Sequence, residues 1–152
     1  MRNCAVENKG YLVYYHYMTW IEERLAQRKA LEERTRLIVE HTPAVYQAVW
    51  DEILRFVKDG QAAGMVLSTG GSARARVVEC HTLGDPSATR QLTVSADDGQ
   101  LVAGFGMGTV MIFRFDVCAD GVVCLKHEGT RVSEREAARL ILDPFLFPEF
   151  AK

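Results

Sequence analysis

The chain has 152 residues, with 18 Lys and Arg set against 20 Asp and Glu, and a chain of this length buries about two thirds of its unfolded surface without a metal or disulfide to staple it. Residues 1–60 hold nine charges of each sign, so no segment projects the basic field that a phosphate backbone requires, which argues against nucleic acid as a partner. The longest apolar run, Tyr11 to Ile21, is about half of a bilayer crossing and contains His16, which argues against a membrane span and predicts one soluble, cytoplasmic domain over residues 1–152.

The apolar period is helical up to about residue 60, alternating to residue 127 and helical again after Ser133, so an α+β fold is expected. A first helix is expected over 9–39, because Tyr11, Tyr14, Met18, Ile21 and Leu25 recur at 3 and 4 spacing. That seam is then interrupted by Arg28 and Glu32 at the next positions, while Leu31 and Ile38 open a displaced stripe. Tyr11, Tyr14, Tyr15 and Tyr17 surround several sides of the helix, and such a band wants more than one neighbour, either the chain's own core or a second subunit. A second helix is expected over 43–59, with Thr42 as its cap, Pro43 in its first turn and Gly60 beyond its end. Its buried stripe is Val45, Val49, Ile53 and Val57, flanked by Tyr46, Trp50 and Leu54.

Six antiparallel strands in a meander are expected between 64 and 128. Asp98-Gly99 is a two-residue hairpin turn that pairs Asp97 with Gln100, Ala96 with Leu101 and Val94 with Ala103. A four-residue loop at 84–87 pairs Val77 with Val94 and Ala75 with Ala96, and three-residue loops at 70–72, 107–109 and 119–121 place Leu67, Phe113, Phe115, Val123 and Leu125 on the same apolar face. Helices cover that face. A carboxy-terminal helix over 134–143 starts at a Ser133/Glu136 capping box and stops before Pro144, and an apolar tail follows over 144–150.

In this register Glu79, His81 and Arg90 share the apolar face at one end of the sheet, beside Met107. Arg90 could then hold an anionic group while His81, oriented by Glu79, moves a proton; the alternative is that all three face water beyond the covering helices. No Ser or Cys nucleophile can be placed beside them, since Cys80 points to the other face. The four cysteines, Cys4, Cys80, Cys118 and Cys124, are expected as free thiols, because the last two sit diagonally on neighbouring strands and a cytosol keeps thiols reduced. Their spacing with His127 does not form the tight pairs of a zinc site, so no metal is expected, and no cofactor motif appears.

The expectation for function is a non-enzymatic protein-interaction or regulatory module that self-associates as a homodimer, through Tyr11, Tyr14, Tyr15 and Met18 and through Phe145 and Phe147 of the tail. The alternative is a small-molecule binding protein or enzyme whose anionic ligand sits at Glu79, His81, Arg90 and Met107. Another protein is a further possible partner.

Overall fold

A computed structural model describes residues 9–82, 85–97, 99–106 and 108–151, with side chains from Thr19 onward except that of Pro86. The chain divides into two compact units, Met1–Arg36 and Leu37–Lys152. It is an α+β protein. Helix α1 (Lys9–Ala62) precedes strands β1 (Val66–Gly71), β2 (Ala75–Thr82), β3 (Asp85–Asp97), β4 (Gln100–Gly104), β5 (Val110–Val117), β6 (Val123–His127) and β7 (Thr130–Val132); helix α2 (Glu134–Leu146) and a single 3₁₀ turn (Pro148–Phe150) follow. The strands form one antiparallel sheet in sequence order.

The two amino-terminal helices expected from Thr42-Pro43 are one helix of 54 residues with Pro43 inside it. Thr42 does not cap. Its hydroxyl donates back to the carbonyl of Ile38 at 2.6 Å, the side-chain bond open to a mid-helix threonine. Proline's fixed φ suits a helix, and its cost is one missing N–H and a crowded preceding turn. The carbonyl deprived of that N–H belongs to Val39, a residue 69% exposed, where water is at hand. The left-handed residue beyond the helix end is Gly64, not Gly60. Gly64 has φ +97°, Met65 N–H donates to Gly60 O and Gly64 N–H to Gln61 O, and this pair of bonds satisfies the last carbonyls. Gly60 instead makes room for β1, since a Cβ there would lie 2.8 Å from Leu67 Cδ1.

Within Leu37–Lys152 the core lies between the sheet and the helices. Val49, Ile53 and Val57 of α1, with Tyr46 and Trp50, join Ala137, Ala138, Ile141, Leu142 and Phe145 of α2 over Leu92, Val94, Leu101, Phe113 and Leu125. The stripe expected at 45–57 is the one buried. The Tyr46 hydroxyl donates to Val94 O at 2.7 Å, tying helix to sheet. Ser133 caps α2, accepting from Glu136 N–H at 3.0 Å, but α2 continues through Pro144 to Leu146. Phe145 explains the extension, since one more helical turn carries its ring into the core at 4% exposure.

The sheet has a seventh strand that the turn signals did not announce. His127 pairs with Thr130, and the two residues between them, Glu128 (φ +52°) and Gly129 (φ +81°), both take the left-handed region. That is the geometry of a two-residue primed turn, but Glu is a poor sequence marker for it. Strands β3–β4 and β5–β6 pair in the expected register, with Val94 opposite Ala103 and Phe115 opposite Leu125. Between β4 and β5 the turn is centred one residue earlier, with Phe105 N–H donating to Thr109 O, so Ala103 meets Met111 rather than Phe113; a slip of two residues leaves every side chain on its face.

Between β2 and β3 the slip is one residue, and the faces exchange. Val78 pairs with Leu92 and Cys80 with Arg90, and a break between His81 and Thr82 absorbs the difference. Val78 and Cys80 are therefore buried, where Ala75 and Val77 were expected. The inward end of β2 is Arg76, whose guanidinium lies over the rings of Tyr46 and Trp50 at 5.0 and 5.6 Å and donates to Gln47 Oε1 at 2.6 Å. A long cationic side chain can lie over apolar surface in this way with its head satisfied.

Candidate functional site

The exchange of faces on β2 divides the expected site. Glu79 and His81 stay together, on the outer face of the sheet. His81 Nε2 lies 3.5 Å from Glu79 Oε2 and 3.4 Å from Ser68 Oγ of β1, and Nδ1 lies 3.1 Å from Thr89 Oγ1 of β3. Both Nε2 distances are at the long limit of a hydrogen bond. A serine nucleophile needs its base oriented by a carboxylate at the far ring nitrogen; here carboxylate and serine share one nitrogen and a threonine hydroxyl takes the other. The arrangement is a polar ladder across three strands.

Arg90 is on the inner face and has a structural occupation. Its Nη1 donates to Phe145 O at 2.5 Å, its Nη2 reaches Cys80 Sγ at 3.5 Å, and its guanidinium is 5.7 Å from the Phe145 ring. Carbonyls at the end of a helix lack intrahelical partners, and a cation there also suits the helix dipole. Arg90 thus fastens the last turn of α2 to β3. Met107 lies outside the described residues, as do the side chains of Tyr11, Tyr14, Tyr15 and Met18. Of the tail pair, Phe145 packs in the chain's own core, while Phe147 is 40% exposed with its ring 6.4 Å from that of Phe150.

The cysteine expectation is corrected. Cys118 and Cys124 form a disulfide with a Cα separation of 6.3 Å, within the span a disulfide accepts. Diagonal positions on a flat ladder would be farther apart, but this pair flanks the tight β5–β6 hairpin, where Gly121 N–H donates to Cys118 O at 2.8 Å. Cys80 is a buried free thiol. Among the described residues no three His, Cys, Asp or Glu side chains converge as metal ligands, and no helix is long and apolar enough to cross a membrane.

Two surface features stand apart from the expected site, the second of them a stretch whose mixed charges at helical spacing already suit a solvated surface. One is a groove of about 390 Å³ between the last turns of α1 and α2, lined chiefly by Phe56, Gly60, Met65, Leu142, Leu146 and Phe147. Only the small residue at position 60 hinted at it. The other is the segment of α1 from Glu22 to Arg36, in which every residue is exposed. Leu25 is 52% and Leu31 60% exposed there, with Trp20 just before them at 54%. Side chains bond along the helix itself, Arg24 to Gln27 at 3.1 Å, Arg36 to Glu33 at 2.6 Å and Thr35 to Leu31 O at 3.0 Å. Pairing with Arg36 holds the Glu33 carboxyl below its usual range. Comparison with family models, curated proteins and solved structures finds no match to this chain.

Proposed function

We propose that the chain is a non-enzymatic interaction module that self-associates through the exposed stretch of α1. The observation that supports this reading is the run of exposed helix from Glu22 to Arg36 carrying Leu25 and Leu31 in water. A helical segment that buries so little draws only weak support from local ion pairs and propensity, and most helix stability in proteins comes from packing an apolar face. A second helix laid along it supplies that packing. Enzymatic and anion-binding readings lose their central cation, because Arg90 is engaged with Phe145 O. Light scattering across a hundredfold concentration range tests the proposal. The expected result is a mass rising toward twice 17.0 kDa; a mass that stays at the monomer value throughout sinks it.

A further inference from the structure

The interrupted seam of α1 says more than that a partner is wanted. Ile21, Leu25, Arg28, Glu32 and Thr35 follow the alternating 4 and 3 spacing of a two-helix interface, yet two of the five are charged and of opposite sign. Arg28 and Glu32 are both exposed in the single chain. A parallel, in-register pair would set Arg28 against Arg28 and Glu32 against Glu32. A parallel pair shifted by one turn would match one Arg with one Glu but has no two-fold axis, so it leaves a free end that recruits further copies. An antiparallel pair with its axis at Ala30 sets Arg28 against Glu32 of the second copy and Glu32 against Arg28, satisfying both charges twice.

The flanking positions agree with that alignment. Leu25 falls opposite Thr35 of the second copy, Leu31 lies beside its own counterpart across the axis, and Glu22 approaches Arg36, the residue that Glu33 already holds within the helix. Lys29 meets its counterpart, a like-charge contact at the rim where long side chains separate readily. A charged pair at seam positions lowers affinity compared with leucines and in exchange selects one register and orientation.

Resting on the self-association proposed above, we infer that the partner is a second copy of this chain, bound antiparallel along residues 21–36 with reciprocal Arg28–Glu32 pairs setting the register. Charge reversal tests it on the full chain. Arg28→Glu alone places Glu against Glu32, and Glu32→Arg alone places Arg against Arg28, so each variant should dimerise roughly ten- to a hundredfold more weakly. Mixed in equal amounts, the two variants complement each other, and the dimer mass should return. Both positions are exposed, and the unchanged unfolding midpoint of the sheet unit serves as the control for folding. If the wild type dimerises while both single variants dimerise as well as it does, or if mixing fails to restore the dimer, the antiparallel alignment is overturned and self-association by another route stands. If the wild type is monomeric at every concentration, the alignment and the function reading fall together.

Discussion

Helix α1 contains two kinds of helix in one continuous element. From Tyr46 to Val57 its apolar residues are buried or half-buried, with Val49 and Ile53 fully buried, whereas from Glu22 to Arg36 every residue is exposed. Both stretches are α-helix, so the difference lies in what each stretch has available to bury. The first kind is specified by tertiary packing, and its sequence shows a wide apolar stripe. The second is dense in Glu, Arg and Lys at helical spacing, a composition that makes a helix without saying what lies beside it. A chain can therefore state its fold in one stretch and stay silent about its surroundings in another.

The sharpest way to break that comparison is a matched pair of truncations. Ile53→Ala opens a cavity in the core and should cost about 2–5 kcal/mol, read as a lower urea midpoint. Leu31→Ala should change the unfolding of the sheet unit by no more than about 0.5 kcal/mol while weakening self-association. Equal effects of the two on the unfolding midpoint would mean that residues 22–36 are packed in solution within a single chain. Next in size is Arg90→Ala, which leaves Phe145 O without its donor and should cost about 1–3 kcal/mol, with thermolysin sensitivity appearing first at the end of α2. An unchanged midpoint would show that Arg90 does not fasten that turn, and would reopen it as a ligand group.

The smallest effect concerns the β5–β6 hairpin. Asp120 accepts from Val122 N–H at 3.1 Å and from Arg131 Nη1 at 3.2 Å, and these bonds, the backbone one foremost, hold its pKa below the ordinary 3.8. A carboxyl depressed in the folded state adds stability that is present above its unfolded pKa and lost as pH falls through the folded value. Asp120→Asn should lower stability slightly at neutral pH, remove the part of the acid limb that falls between the unfolded and folded values, and match the wild type below both. An acid limb unchanged by the substitution would show that the hairpin contributes no more to acid sensitivity than the exposed helix does.

Much of the architecture was legible because turn chemistry and alternation agreed. Asp98-Gly99 gave the β3–β4 register, the stripe at Val49, Ile53 and Val57 gave the buried helix face, and Ser133 gave the start of α2. Where two neighbouring residues offered equal apolarity the reading failed: Val77 and Val78 both suit the core, and only the assumed loop at 84–87 chose between them. The break beside Thr82 defeated that count, and with it went the grouping of Arg90 with Glu79 and His81. The inward Arg76 would have been the clue, but a cation facing a core becomes sensible only when Tyr46 and Trp50 are seen beneath it. Pro43 and Pro144 misled in the same direction, since both lie inside helices whose surroundings outweigh the lost N–H. Glu128 hid β7 because its positive φ has no signature in the residue itself.

Pro43 also bears on how the protein comes apart. The hydrogen-bond ladder of α1 lacks one rung at that point, and helical cooperativity is transmitted from rung to rung. Opening of residues 22–36 then has no need to propagate into the turns holding Val49 and Ile53. Exchange of amide protons should accordingly fall into two classes along one helix, and a protease cutting after Lys29 or Arg34 should stop there. The piece left standing would be the sheet unit with its core intact.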